Sequence, residues 1–292
     1  MASVLIVGAT RGLGASLTKQ YASQPSMTVY ATTRSDSGPQ GFPDRVKWLP
    51  NIDLLKSDVG DNLAGQLKSQ QQPLDLVIIT AGRFTTEDFS AEKGPDWQEE
   101  VTMYTTSSIA PVFIVHRLAH ANLLGKGTKV VLVSSESGSI TLRHESEGGG
   151  NYAHHASKSA LNMVGKLLSL DLKDKEVVIS IVHPGFMRTE MTKGAGFDKY
   201  WDDGGGKPSL VANNSQVVFD CVVSRACYWL TGFPCRCVAV TPDKAAKSLV
   251  EWAEKLDMSK SGEYWAPRGP GDIGTAEPVL GTGLSTPLKL PW

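Results

Sequence analysis

Short runs that are apolar at nearly every position recur along this chain, with stretches of helical spacing between them, and this alternation limits the fold more than any other feature. SVLIVG (3–8), VYATTR (29–34), VKWLP (46–50), LDLVIITAG (74–82), TKVVLVSS (128–135) and VVISIVHPG (177–185) read as strands. A strand apolar throughout is buried on both faces, as in a parallel sheet covered by helices on both sides. The helical stretches are LTKQYAS after the first run, then DWQEEVTMYTTSSIAPVFIVHRLAHANLL and SKSALNMVGKLLSLDLKD. Such an order predicts a doubly wound α/β sheet with right-handed connections. One domain accounts for residues 1–292, and no internal repeat is visible.

Two regions stand outside the alternation. Residues 207–239 carry no clear period and follow Gly204-Gly205-Gly206 directly. The tail 262–292 is rich in Gly and Pro and is predicted to be irregular. All four cysteines (Cys221, Cys227, Cys235, Cys237) fall in the first of these regions. Their spacing, C-x5-C-x7-C-x-C, lacks the paired C-x2-4-C units of a zinc site, so no metal is expected. The segment reads either as a lid particular to this chain or as a mis-spliced intron, because Gly206-Lys207 is encodable by GGTAAG, which contains a splice donor.

Composition narrows the function. The chain is 41% hydrophobic and 20% charged with a net charge of −1, ordinary for a soluble domain. It offers neither the basic footprint of a nucleic-acid binder nor a polybasic membrane patch. MASVLIVGATRG has no basic segment before its apolar run and reads as a first strand, not a secretion signal. VVFDCVVSRACYWL is too short and too interrupted to span a bilayer. The compartment expected by default is the cytosol, and a disulfide framework is not expected there.

Gly8, Gly12 and Gly14 follow the first strand and open the first helix as GATRGLG. Glycines at this place permit a tight turn and a close backbone approach to a pyrophosphate, with the helix N-terminus aimed at the anion.

With this glycine spacing, an Asn-Ala-Gly-like triplet at Thr80-Ala81-Gly82, Ser135 after a strand, Lys158 opening a helix as ASK, and a Pro-Gly loop at His183–Thr189, the chain resembles the short-chain dehydrogenase/reductase family. The resemblance runs from Ser3 to about Thr192 and resumes at TPDKAAKSLVEWAEKL. It implies a Rossmann-type fold, a nicotinamide cofactor and an oxidoreductase. The loop Gly8, Arg11, Gly12, Leu13 and Gly14 would hold the pyrophosphate, and Asp53 the adenine amino group. Asp58 is a second choice for the adenine, though it looks like a helix N-cap. Thr80 would stand at the tip of the fourth strand, with Arg117 as a weaker contact. Met187 through its backbone and Thr189 through its hydroxyl would hold the carboxamide. The second strand ends in Thr33-Arg34 without an acid to accept from a ribose hydroxyl. Arg34 and Arg11 can meet a 2′-phosphate instead, which favours NADP(H) over NAD.

In the family a serine orients the substrate carbonyl, a tyrosine moves the proton, a lysine binds the ribose and an asparagine holds a relaying water. Here Ser135 and Lys158 match. The tyrosine position, four before the lysine, is His154, and the asparagine position is Ser107. A neutral imidazole beside Lys158 suits acid–base work, directly or through water. Tyr152 could substitute only if the helix began after it; otherwise it packs against core or neighbour. His155 reads as a partly exposed helix residue. The longer loop carrying His144, Glu145 and Glu147 is either a flap over the site or a solvated turn.

The sequence therefore supports an NADP(H)-dependent oxidoreductase of carbonyl or alcohol groups, with Ser135, His154, Lys158 and Tyr152 as catalytic candidates. A non-catalytic NADP-binding sensor and a dehydratase or isomerase are the other readings. The resemblance also implies a homodimer or homotetramer through the lysine helix. Trp201, Trp229 and Trp265 suggest a lid over an apolar ring compound, as in secondary metabolism, although tryptophan also serves as packing.

Overall fold

The computed structural model describes residues 2–69, 72–201 and 239–292. The cysteine cluster, Trp229 and all of the 207–239 segment except Ala239 lie outside the described residues.

The first strand, β1 (Ala2–Val7), shows how the sequence builds the core. Val4, Leu5, Ile6 and Val7 have no exposed surface. Successive side chains of a strand point to opposite faces, so Leu5 and Val7 enter one apolar cluster while Val4 and Ile6 enter another. On the first face β1 and its neighbours are covered by α2 (Val59–Gln66), α4 (Ala110–His120) and α5 (Tyr152–Asp171), through Leu63, Ile114, Leu118 and Leu161. On the second face lie α1 (Gly12–Ala22) and α7 (Pro242–Glu254), which contribute Leu17, Tyr21, Leu249 and Trp252. Each fully buried leucine or isoleucine contributes about 1.5–3 kcal/mol. Trp252 satisfies its buried indole N–H on Ser180 Oγ at 3.0 Å.

Eight strands form one sheet. In sequence they are β1, β2 (Met27–Thr32), β3 (Lys47–Leu49), β4 (Leu76–Ile79), β5 (Lys129–Val133), β6 (Val178–Val182), β7 (Glu263–Ala266) and β8 (Leu288–Lys289). In space the order is β3-β2-β1-β4-β5-β6-β7-β8. The first seven are parallel, and β8 joins β7 antiparallel. The order turns back beside β1, between β2 and β4, which is where open α/β sheets hold nucleotides. Among the described residues the remaining α-helices are α3 (Trp97–Tyr104), α6 (Glu190–Gly194) and α8 (Ala276–Leu280).

The tail corrects the sequence reading. Its Gly and Pro content predicts irregular chain from Gly262 onward, yet it supplies β7, β8 and α8. GEYWA carries the β-forming residues that matter: Tyr264 is fully buried, and Trp265 packs on Trp252 with ring centroids 5.3 Å apart. Trp265 is therefore packing rather than lid. Thr141 donates both its amide and its hydroxyl to the Trp292 carbonyl, which fastens the end of the chain to the loop after Ser135.

Candidate active site

The glycine turn is built by contact. Gly8 has φ +88°, and a Cβ there would lie 2.8 Å from the Ala81 amide nitrogen. A Cβ on Gly14 would lie 2.1 Å from the Gly8 carbonyl oxygen, so no larger residue fits. Thr80 donates its hydroxyl to the carbonyls of Val7 (3.0 Å) and Gly8 (3.1 Å), tying the tip of β4 to the turn. Its role here is to hold the loop. Arg11 takes the N-cap position of α1 without a capping side-chain bond, and the first turn holds no acid. The α1 N-terminus, with Leu13 and Gly14 in its first turn, is thus left open toward an anion. The Thr189 methyl comes within 3.7 Å of a Cβ placed on Gly12, so the Pro-Gly loop closes over the glycine turn. These elements fit the diphosphate and nicotinamide of a dinucleotide.

The other sequence-derived positions divide. Arg34 is exposed just past β2, and neither it nor Arg11 forms an ion pair among the described residues. Asp53 folds back to accept from the Leu55 amide at 3.1 Å, close to where Ile52 binds the Thr33 carbonyl. Asp58 stands at the N-cap of α2, but its side chain makes no capping bond. Arg117 is not brought to the glycine turn: its Nε pairs with Asp61 of α2 at 3.0 Å on the outer helical layer. Met187 bridges to Val240, and its carbonyl accepts from the Thr192 hydroxyl at 2.7 Å. The Thr189 hydroxyl accepts from the Thr192 amide and so caps α6.

The catalytic half departs further from expectation. The helix α5 already includes Tyr152, preceded by Asn151 in the left-handed region at φ 53°. Glu87 fixes this start by accepting from the amides of Tyr152 (2.6 Å) and Ala153 (3.0 Å). A carboxylate suits a helix N-terminus. With the helix begun, Tyr152 points away from His154; it is 44% exposed and lies edge-on to Phe89. Tyr152 therefore does not share the face that carries His154 and Lys158.

His154 and Lys158, one turn apart, share a face. Lys158 is buried and donates to the Val133 carbonyl at 2.8 Å. Burial lowers its pKa to about 8. Burial, then the neighbouring Lys158 charge, lowers His154 to about 3, so its ring is neutral at physiological pH. Phe84 lies over the His154 ring at 4.3 Å, and Phe197 stacks on Phe84 at 5.4 Å, giving the site an aromatic wall. His155 turns back to the Asn151 carbonyl at 2.8 Å.

Ser135 lies two residues beyond the end of β5, and its carbonyl accepts a short bond from the Tyr264 hydroxyl. Its hydroxyl donates to Glu136 Oε2 at 2.7 Å and accepts from Ser137 Oγ at 2.8 Å. Ser137 Oγ lies 3.3 Å from His154 Nδ1. Glu136 also faces His183, whose Nδ1 is 3.0 Å from its Oε2. Burial works to raise Glu136, but His183, the Ser135 hydrogen bond and Arg143 together hold it well below the usual carboxylate range; its own amide donates to His183 Nδ1 at 3.0 Å. The proton of Ser135 is therefore already engaged, and not free to orient a carbonyl as the family resemblance implies.

Ser107 lies in a single π-helical turn, Thr105–Ile109, between α3 and α4. Such turns are frequent at functional sites. Its hydroxyl is buried without a partner among the described residues. In the long loop, Arg143 pairs with Glu147 at 3.1 Å, and His144 Nδ1 meets Ser146 Oγ at 2.8 Å. Among the described residues no group of three His, Cys, Asp or Glu could hold a metal.

Comparison with known proteins agrees with the fold. The profile of the short chain dehydrogenase family matches residues 2–199. The chain belongs to that family, and hence to a class of oxidoreductases. It is 26% identical over 193 residues to a 1-hydroxy-2-glutathionyl-2-methyl-3-butene dehydrogenase of Rhodococcus sp. (strain AD45), covering 66% of this chain and 81% of that one. An uncharacterized oxidoreductase of Saccharomyces cerevisiae is 28% identical over 194 residues, covering 64% and 75%. Among solved structures, the carbonyl reductase Sniffer of D. melanogaster superposes over the whole of both chains with a TM-score of 0.64 at 22% identity. An NADPH-bound carbonyl reductase from chicken fatty liver covers 91% of each chain with a TM-score of 0.62 at 18% identity. At these identities the two structures establish the fold.

Sequence reasoning missed Glu136, Ser137, His183, Phe84, Glu87 and Tyr264. Only Glu136 and Ser137 carried a local signal, two polar residues directly after Ser135 in SSESG. The others reach the site through the fold.

Proposed function

We propose that this short chain dehydrogenase is an NADP(H)-dependent oxidoreductase acting on a carbonyl or alcohol of a small organic substrate, with His154 in the tyrosine's role. The observation that carries the reading is the join of His154 to Ser135 through Ser137, one helical turn from the buried Lys158 amine. Bound nicotinamide supplies hydride transfer. The chain does the rest: the glycine turn and α1 N-terminus hold phosphate, Arg11 and Arg34 select the 2′-phosphate, and Lys158 holds the ribose. Thr189 and the Met187 backbone orient the carboxamide, and the wall of Phe84 and Phe197 receives an apolar substrate. A dehydrogenase of a hydroxy compound among the relatives, the Rhodococcus enzyme, accords with an alcohol or carbonyl substrate. The reading includes a cytosolic enzyme and pairing with a second copy over α4 and α5, where Phe113, Met163, Leu167 and Leu170 are exposed.

The test is titration with NADPH and NADH, followed by turnover of an aldehyde, ketone and alcohol panel by wild type, His154→Ala and Tyr152→Phe. Preference for NADPH, and turnover lost in His154→Ala but kept in Tyr152→Phe, is expected. Tight NADPH binding with no turnover would favour a sensor protein; preference for NADH would refute the cofactor assignment.

A further inference from the structure

Resting on that reading, we propose that Glu136, Ser135, Ser137 and His154 form a directed hydrogen-bond wire that sets the resting site to take a proton from a substrate hydroxyl, so that its substrate is an alcohol. Each hydroxyl has one proton. Ser135 gives its proton to the Glu136 carboxylate at 2.7 Å, and Ser137 gives its own to Ser135 at 2.8 Å. Ser137 Oγ has then only a lone pair for His154 Nδ1, 3.3 Å away. That ring nitrogen must carry the proton, and Nε2 is the bare one. Nε2 has no hydrogen bond among the described residues. The wire thus ends in an acceptor, whereas a carbonyl substrate would need a donor.

The surroundings explain why the proton is handed on. An imidazolium is opposed first by burial, then by Lys158 and His155 on the same helix and by Arg143 from the loop before it, while Glu136 favours it. The ring that accepts at Nε2 must release at Nδ1. Glu136 ends the wire, faced by His183 just after β6 and by Arg143, with Glu147 nearby. The Glu136 side chain is 28% exposed, so a proton arriving there can leave to water.

In the step, the alcohol O–H bond breaks and its proton binds Nε2. The Nδ1 proton passes to Ser137, that of Ser137 to Ser135, and that of Ser135 to Glu136 Oε2. An oxidised nicotinamide, when bound, would supply the acceptor for the hydride that leaves the carbinol carbon with the C–H electron pair as the C=O bond forms. Alcohol and NADP+ become carbonyl compound, NADPH and one proton released through Glu136. Glu136 and Ser137 are positioning residues, since they act through His154.

The experiment is 15N-histidine NMR at pH 7 on the full chain, with the His154 ring assigned by its loss in His154→Gln. Expected is a predominant Nδ1–H tautomer in wild type, reduced in Ser137→Ala and restored in Ser137→Thr. A predominant Nε2–H tautomer in wild type overturns the proposal, and so does a folded Ser137→Ala with an unchanged signal. Should Ser137→Ala fail to fold, the wild-type tautomer alone decides. NADP+ titration of the same samples keeps the two ideas apart: absence of binding would sink the cofactor reading whatever the tautomer.

Discussion

The two halves of the site follow different rules. The nucleotide half, from the glycine turn to Thr80, works through backbone: absent Cβ atoms, an open helix N-terminus and a hydroxyl that ties two carbonyls. The catalytic half, from Ser135 to Lys158, works through the direction of side-chain hydrogen bonds. A backbone device tolerates little change, because its neighbours are peptide groups that cannot yield. A side-chain device can be rewired by exchanging one polar residue for another, while the scaffold stays the same.

The contrast can be broken most severely at Gly14. Gly14→Ala puts a methyl into the Gly8 carbonyl; a stability loss of about 3 kcal/mol and loss of NADPH binding are expected in denaturant titration and fluorescence binding. Next comes the catalytic half alone. His154→Ala should lower kcat about 10²–10⁴-fold, the range for general acid–base catalysis, while the NADPH Kd shifts less than about twofold. If Kd moves as far as kcat, the two halves are not separable. At the rim of the nucleotide half, Arg34→Ala should weaken NADPH about tenfold, worth about 1.4 kcal/mol, and leave NADH unchanged.

A smaller effect is a slope. His154 has its pKa lowered from 6.5 to about 3. Between these values the unfolded chain binds the proton and the folded one does not, so stability falls as the pH drops through that window. His154→Gln should flatten this acid limb by about 1 kcal/mol per pH unit, read from urea unfolding at pH 4, 5, 6 and 7. Smallest of all, Arg117→Ala removes only a half-exposed ion pair; a change under about 1 kcal/mol and an unaltered NADPH Kd are expected. A large loss of cofactor affinity there would restore Arg117 to the nucleotide half.

The order in which residues became legible follows the same division. The glycine turn, Lys158 and the Pro-Gly loop could be read directly, since each is a local pattern next to a strand or at the start of a helix. Tyr152 and His154 could not be ranked, because the choice depended on where α5 begins. That start is set by Glu87, 65 residues earlier in the chain. Tyr264 and Trp265 were hidden in a Gly- and Pro-rich tail, although their short β-forming stretch becomes β7, the parallel neighbour of β6.

By itself, then, the sequence determined the doubly wound sheet and its glycine turn, and it put His154 one helical turn before Lys158. Apolar runs, glycine spacing and helix register are written in consecutive residues. Only the tertiary structure decided that Tyr152 faces away, that Arg117 serves the outer layer and that Ser135 gives its proton to Glu136. Those outcomes depend on which distant groups meet, and the direction of a hydrogen bond is set by its partner, not by its place in the chain.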